Sequence, residues 1–131
     1  MEHGDVQAWL DRYVEAWETY DPALIGELFS DSAEYRYHPW DEPIRGRDAI
    51  VQAWIAPDGN ASGRDEPGTY QGRYRPWAID GERAVAVGES LYWTDAGRAA
   101  LRDAFDNVYL LEFDPDGRCR SFTEWYIRRP G

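Results

Sequence analysis

The sequence predicts one α+β domain in which three helices precede a run of antiparallel strands. Apolar residues in the amino-terminal half recur at the three- and four-residue spacing of helices that bury one face. From Tyr70 onward, the pattern changes to β-branched and aromatic runs separated by short turn sequences. Helices followed by strands with short connections are typical of helices packed on one side of an antiparallel sheet. The chain of 131 residues has the size of one such domain.

Three segments have helical periodicity. The first begins near Val6, with Asp5 as its candidate N-cap. Its buried face is expected to contain Val6, Trp9, Leu10, Tyr13, Val14 and Trp17. The second begins at Asp21-Pro22, an N-cap acid followed by proline at the first helical position, and ends near Ser30. The third stops before Pro57. Its apolar residues are Ile50, Val51, Trp54 and Ile55.

A short strand is expected over residues 33–40, between the second and third helices. Tyr35 and Tyr37 share one face of this strand, and His38 lies on the other face. Residues 56–69 are rich in Pro, Gly, Asn, Ser and charged residues and have no periodicity. This composition predicts a mobile loop that could cover a pocket.

Four longer strands follow, and the last two form the clearest hairpin in the sequence. The first pair is expected at residues 70–79 and 84–93, with a turn at Asp80-Gly81 between them. The last pair flanks residues 114–117 (Asp-Pro-Asp-Gly). Proline presets φ at one corner of this turn and glycine accepts the left-handed corner, which predicts a β-hairpin.

The composition limits the classes of partner. The chain has 14 Lys and Arg against 25 Asp and Glu, and its formal charge of −11 disfavours nucleic acids and anionic membrane surfaces. Its single cysteine, Cys119, predicts no intramolecular disulfide and no cysteine-rich zinc site. No apolar run approaches the roughly 20 residues of a membrane span, and the amino terminus lacks a signal-peptide pattern, so we expect a cytoplasmic protein.

Several short motifs, together with the order of the elements, carry a family resemblance. They lie at residues 17–22 (Trp-Glu-Thr-Tyr-Asp-Pro), 28–33 (Leu-Phe-Ser-Asp-Ser-Ala), 46–50 (Gly-Arg-Asp-Ala-Ile) and 122–126 (Phe-Thr-Glu-Trp-Tyr). With these motifs the chain resembles the nuclear transport factor 2-like (NTF2-like) superfamily, in particular its SnoaL-like branch, over roughly residues 6–126. The resemblance implies a single domain over residues 1–131 in which three helices close a strongly curved, mostly antiparallel sheet into a cone.

The resemblance also implies an apolar pocket inside the cone and a homodimer formed through the outer face of the sheet. Members of the superfamily include ketosteroid isomerases, polyketide cyclases, scytalone dehydratases and limonene epoxide hydrolases. Other members are non-catalytic binding or dimerisation modules. Because none of the motifs is a catalytic fingerprint, the resemblance leaves the chemistry open.

Two glutamates are candidates for proton transfer. Glu124 shares one strand face with Phe122 and Tyr126, whereas Trp125 lies on the opposite face. Glu89 shares a face with apolar residues, which suggests that it too points inward. Those residues are Val85, Val87, Leu91 and Trp93. An acid desolvated among aromatic rings has a raised pKa, which suits proton transfer near neutral pH. If Trp125 faces inward instead, Glu124 loses this role.

The first strand of the terminal hairpin leaves two alternatives. Either Asp106 faces the pocket with Val108 and Leu110, or Asn107 does so with Tyr109 and Leu111. Both sets contain apolar residues, so the alternation does not decide between them. Asp106 is therefore a further catalytic candidate and Asn107 a ligand-binding candidate.

Other polar residues complete the set of candidates. In the isomerases and cyclases that the chain resembles, hydroxyl donors assist the acid, and Tyr37, Tyr109 and Tyr126 are the candidates for donors to an enolate-like oxygen. His38 is a candidate catalytic imidazole. The alternative is that both glutamates form structural ion pairs with arginines such as Arg36, Arg73 or Arg75. No His-x-x-His spacing is present, so we expect no metal site.

The seven tryptophans and nine tyrosines exceed the needs of a small core and indicate a pocket for an apolar or planar molecule, or a dimer face. The ligand-binding candidates are Tyr13, Trp17, Tyr37, Trp40, Trp54, Asn107, Tyr109, Phe122 and Tyr126. We expect this pocket to bind a small hydrophobic metabolite, cyclic or aromatic, with no cofactor. Acid–base isomerase, cyclase or dehydratase activity is one interpretation, and a non-catalytic binding or dimerisation module is the other.

Overall fold

The computed structural model describes residues 1–56 and 66–130, in which three helices pack on a six-stranded, mostly antiparallel sheet. The helices are α1 (His3–Thr19), α2 (Pro22–Leu28) and α3 (Arg47–Ile55). The strands are β1 (Phe29–Arg36), β2 (Ile44–Arg45), β3 (Tyr70–Asp80), β4 (Arg83–Trp93), β5 (Leu101–Phe113) and β6 (Cys119–Arg128). The predicted α+β class is confirmed. Most of the expected loop, residues 57–65, lies outside the described part of the chain.

The strands are arranged in the order β2-β1-β6-β5-β4-β3. The run from β3 to β6 is a meander of antiparallel neighbours, and β1 joins the carboxy-terminal strand β6 in parallel. The turn between β5 and β6 has Gly117 at φ 88°, with its N–H donating to the carbonyl of Asp114 at 2.9 Å. The hairpin prediction is therefore confirmed, and its two strands, β5 and β6, lie at the centre of the sheet.

The helix starts differ in detail from the prediction. Helix α1 begins at His3, and Asp5 is its third helical residue rather than its N-cap. The Asp5 carboxylate instead accepts the backbone N–H of Glu2 at 2.9 Å, completing a capping box. Asp21 caps α2 as predicted, accepting the N–H of Ala23 at 2.9 Å. Because α2 is short, β1 begins directly after it at Phe29, four residues before the expected strand.

Aromatic rings from α1 fill the space above the inner face of the sheet. Trp9 is fully buried, donates its indole N–H to the carbonyl of Leu28 at 3.0 Å, and contacts Phe113 edge-on with centroids 5.7 Å apart. One turn further along α1, Tyr13 stacks on Phe122 of β6 at 5.6 Å. The apolar face predicted for α1 is thus the face that packs against the sheet. None of the described helices is long and apolar enough to cross a bilayer.

The face of strand β4 that points toward the helices is the opposite of the predicted one. Its small residues, Ala84, Ala86, Gly88 and Ser90, point inward, and its larger apolar residues point outward. The reason is the space taken by Tyr74 on the neighbouring strand, because a Cβ added at Gly88 would lie 2.4 Å from the Tyr74 ring. The inward placement expected for Glu89 is therefore wrong.

Candidate functional site

A cavity of about 590 Å³ lies between the helices and the inner face of β3 to β6. Its volume falls within the range of small-molecule sites. Eight of the nine tyrosines of the chain line it, namely Tyr13, Tyr20, Tyr37, Tyr70, Tyr74, Tyr92, Tyr109 and Tyr126. The remaining lining residues are Trp17, Ala53, Ser90, Arg102, Asp103, Phe105, Asn107 and Glu124. The wall is therefore aromatic, with many hydroxyl groups and few charges.

Glu124 lies in the wall of this cavity, and Trp125 lies on the outer face of the sheet. Its Oε2 accepts a hydrogen bond of 2.7 Å from Nδ2 of Asn107 on β5. Burial raises the pKa of Glu124 from 4.5 to about 7, and the hydrogen bond from Asn107 opposes that rise. Among the described residues, no arginine forms an ion pair with this carboxyl. Near neutral pH, the Glu124 side chain is thus divided between its acid and its carboxylate.

A chain of hydrogen bonds leads from Asn107 away from Glu124. Ser90 donates to Oδ1 of Asn107 at 2.9 Å, and the hydroxyls of Tyr74 and Ser90 lie 2.6 Å apart. Tyr70 lies 2.7 Å from Tyr74, hydroxyl to hydroxyl. Because the amide donates to the carboxylate, Ser90 must donate to the amide oxygen, and each tyrosine must then donate to the next group along. An amide does not relay protons, so this chain orients Glu124 and fixes the rotamer of Asn107.

The buried tyrosines remain neutral hydroxyl donors. Burial raises the phenol pKa of five tyrosines in the cavity wall above its ordinary value. They are Tyr13, Tyr37, Tyr70, Tyr74 and Tyr109. The negative charge of Glu124 contributes to the rise for Tyr13, Tyr37, Tyr74 and Tyr109. A ligand in this cavity therefore meets the Glu124 carboxyl among neutral phenols.

The other two acidic candidates lie on the outer face, where they form ion pairs. Glu89 and Asp106 are neighbours across β4 and β5, and Arg129 lies 2.8 Å from Glu89 and 2.7 Å from Asp106. Arg129 lowers the pKa of the Asp106 carboxyl. The pocket-facing placement of Asp106 is therefore wrong, because Asn107 occupies the inward position on β5. The alternative interpretation, ion pairing of both glutamates, therefore holds for Glu89, with Arg129 as the partner. It does not describe Glu124, which has no arginine partner among the described residues.

His38 lies beside the cavity mouth without lining the cavity. Its Nδ1 is 2.9 Å from Oδ2 of Asp41, and its Nε2 is 2.7 Å from the hydroxyl of Tyr126. The imidazole also stacks on Trp40, with centroids 4.9 Å apart. Tyr126 belongs to the cavity wall, so His38 contacts the site through this tyrosine.

The remaining ligand-binding candidates divide into two groups. Six of them line the cavity: Tyr13, Trp17, Tyr37, Asn107, Tyr109 and Tyr126. The other three do not, because Trp54 and Phe122 are fully buried in the core beneath the cavity and Trp40 is 78% exposed. Sequence reasoning missed the other nine lining residues, namely Tyr20, Ala53, Tyr70, Tyr74, Ser90, Tyr92, Arg102, Asp103 and Phe105. Within residues 1–56 and 66–130, no three His, Cys, Asp or Glu side chains converge on a point that could hold a metal ion.

A signal for Tyr70 and Tyr74 was present in the alternation of β3. Tyr70 and Tyr74 share one face with Gly72, whereas Arg73 and Arg75 between and beyond them are exposed. Charged residues on the alternate positions mark the solvent face of a strand, and so place the tyrosines inward. Ser90 had no such signal, because it shares its face with the small residues Ala84, Ala86 and Gly88, whereas the opposite face of β4 contains larger apolar residues.

A cone of helices on a curved sheet, with a cavity enclosed by both, is the architecture of the NTF2-like superfamily. Residues 10–122 match the family model of the SnoaL-like domain, and the chain belongs to that family. The fold is also similar to the solved structure of SalBIII, described as an epoxide hydrolase/cyclase-like enzyme in pyran ring formation in the polyether salinomycin. The two structures superpose with a TM-score of 0.67 at 16% identity, over 92% of this chain and 89% of that chain. At 16% identity, this similarity is evidence for the fold alone.

Proposed function

We propose that the cavity binds a small, uncharged cyclic or aromatic molecule and that Glu124 transfers a proton to and from it without a cofactor. The observation that carries this proposal is a carboxyl held in an aromatic wall at a pKa of about 7, with no arginine partner in the described part of the chain. A general base is most effective when its pKa lies near the working pH. Asn107 binds Oε2, which leaves Oε1 of Glu124 for the ligand.

The proposed chemistry follows from the groups around this carboxyl. Glu124 as carboxylate takes a proton from carbon next to a ligand carbonyl, and a neutral phenol of Tyr13 or Tyr109 hydrogen-bonds to the developing enolate oxygen. Glu124 then returns the proton to a second position or to a leaving oxygen. Isomerisation and dehydration share these two steps. In cyclisation, the enolate carbon instead attacks a second carbonyl carbon of the ligand, and Glu124 returns the proton to the resulting alkoxide. The SnoaL-like family and the cyclase-like neighbour support this class of reaction.

Filling the cavity is expected to abolish ligand binding. Ala53 of α3 lines the cavity, and Ala53→Phe would place a ring where the ligand lies. We expect wild-type protein to bind 2-tetralone, 2-naphthol or a steroid from a test panel, measured by quenching of tryptophan fluorescence and by native mass spectrometry. The variant should bind at least about tenfold more weakly. Ala23→Phe, on the exposed side of α2, is the matched control and should bind as the wild type does. A wild-type protein that binds no member of the panel would contradict the proposal.

We also propose that the chain forms a homodimer through the outer face of the sheet. Four apolar side chains on β5 and β6 remain exposed there, with exposed fractions of 38% to 73%. They are Val108, Leu110, Trp125 and Ile127. Charges of both signs border this stripe, with Arg73 and Arg75 on one side and Glu89 and Asp106 nearby. A two-fold interface brings the same patch together with itself, so a patch with both signs can complement its own copy.

The substitution Trp125→Glu is expected to dissociate this dimer. A carboxylate in the apolar stripe would be desolvated without a partner, and the dimer dissociation constant should rise at least about tenfold. Sedimentation velocity over a range of concentrations measures the change. Leu101→Glu is the control, because Leu101 is 48% exposed but lies outside the stripe. A wild-type protein that stays monomeric at high concentration would show that the stripe has another role.

A further inference from the structure

The loop after β1 holds an imidazole in one defined orientation against the cavity wall. Oδ2 of Asp41 accepts both the backbone N–H of His38 at 3.1 Å and the ring Nδ1 at 2.9 Å. The N–H of Asp41 donates in turn to the carbonyl of His38 at 3.1 Å, and Trp40 covers one face of the ring. Because a carboxylate only accepts, the proton of neutral His38 lies on Nδ1, and Nε2 presents its lone pair to Tyr126.

This arrangement sets the direction of the hydrogen bond at Tyr126. With a bare Nε2 at 2.7 Å, the Tyr126 hydroxyl is the donor, so its proton points at His38 and its remaining lone pairs are available to the cavity. Tyr126 thus differs from Tyr70 and Tyr74, whose protons run along the chain toward Asn107. Toward a ligand, Tyr126 is an acceptor.

Tyr126 and Glu124 are two residues apart on the same face of β6, which separates them by about 7 Å along the strand. One molecule in the cavity can therefore contact both side chains. The side chain of His38 is 33% exposed, so the far end of the arrangement borders solvent while Tyr126 borders the cavity.

We propose that Tyr126, His38 and Asp41 form a proton relay that accepts the proton of a ligand hydroxyl, and that the ligand is a hydroxylated ring compound. As the ligand O–H proton passes to Oη of Tyr126, the proton of Tyr126 passes to Nε2 of His38, and Asp41 stabilises the imidazolium. The ligand O–H bond breaks, the Tyr126 O–H bond breaks and is remade with the ligand proton, and an N–H bond forms on His38, so the net change is one proton moved from the ligand oxygen to the imidazole. Tyr126 contacts the ligand, whereas His38 and Asp41 are positioning residues. This inference rests on the proposed function, because the ligand must occupy the cavity.

Imidazole nitrogen NMR tests the relay without any ligand. The chain has two histidines, so His3 serves as an internal control for His38. In wild-type protein, long-range proton–nitrogen correlation should show His38 as the Nδ1–H tautomer. The substitution Tyr126→Phe should keep that tautomer but shift the Nε2 resonance toward that of a free lone pair, and Asp41→Asn should mix the tautomers. An Nε2–H tautomer in wild-type protein, or an unchanged Nε2 resonance in Tyr126→Phe, would overturn the relay.

A pair of matched ligands tests the acceptor role of Tyr126. The wild type should prefer 2-naphthol to naphthalene, and Tyr126→Phe should reduce that preference by about threefold to tenfold, the worth of one hydrogen bond. Asp41→Asn should reduce the preference partly while leaving naphthalene affinity unchanged, whereas a merely structural role of Asp41 would alter both affinities alike. A preference that survives both substitutions would refute the relay. If neither ligand binds, the proposed function fails, and the NMR spectra alone decide on the relay.

Discussion

Glu124→Gln is expected to slow proton exchange in a bound carbon acid by about 10² to 10⁴, because glutamine cannot take the proton. A suitable probe is 2-tetralone in deuterated buffer, whose acidic C–H exchange is followed by proton NMR. Its affinity should stay within about threefold of the wild-type value, since glutamine keeps the size and the hydrogen bond to Asn107. Glu89→Gln is the matched control and should exchange normally, because Glu89 lies on the outer face with Arg129. Wild-type binding without accelerated exchange would favour the non-catalytic interpretation.

Glu124→Gln is also expected to change how the free energy of unfolding depends on pH. The folded pKa of Glu124, about 7, lies above its unfolded value of 4.5, so the folded protein holds the proton more tightly. The stability of wild-type protein should therefore be greatest below the unfolded pKa and fall as the pH rises through 7. Glutamine resembles the protonated acid and should escape this loss, which amounts to as much as about 3 kcal/mol at pH 8.

Denaturant unfolding at about pH 4 and pH 8 measures the difference. The free energies of unfolding of Glu124→Gln and wild type should agree at the lower pH and diverge at the higher one. The control Glu89→Gln loses a partly exposed ion pair, which is worth at most about 1 kcal/mol, and should show no gain at pH 8. Parallel pH profiles for Glu124→Gln and wild type would mean that the carboxyl is solvated in the folded state.

Gly88→Ala is expected to destabilise the fold by about 3 kcal/mol, although it adds a single methyl group. The new Cβ would lie 2.1 Å from the carbonyl oxygen of Arg73 and 2.4 Å from the ring of Tyr74. Backbone and an enclosed ring both resist displacement, so the β3–β4 ladder must shift around the paired residues Tyr74 and Gly88. Because Tyr74 belongs to the hydrogen-bonded chain that leads to Glu124, ligand binding should weaken as well.

The measurement is again the free energy of unfolding from denaturant titration, together with binding of the panel ligand. Gly4→Ala is the matched control, because no atom of the described residues lies within 4 Å of a Cβ added at Gly4 in the first turn of α1. That substitution should be neutral or stabilise by up to about 1 kcal/mol, through helix propensity. Equal changes in the free energy of unfolding for the two substitutions would mean that β3 and β4 can shift to accommodate the added methyl group at little cost.

Local sequence signals predicted some elements of the fold and failed for others. Local signals predicted the helices and the terminal hairpin, since helix caps, periodicity and the turn at residues 114–117 depend on neighbouring residues. The short strand β2 had no such signal, because two residues have no periodicity. The predictions failed on β4, where both faces contain apolar residues and only the fit against Tyr74 decides which set points inward.

The site combines residues that are far apart in the chain. His38 and Tyr126 are separated by 88 positions and meet because β1 pairs in parallel with β6, with Arg36 beside Thr123. No local pattern encodes that pairing. Asp41, which contacts His38 three residues away in the chain, was also not among the candidates. The sequence by itself determined the family, the order of elements and a glutamate alternating with aromatic residues on β6. Only the tertiary structure decided that Glu124 faces the cavity and Glu89 and Asp106 face outward, because strand orientation depends on packing between strands rather than on alternation within one.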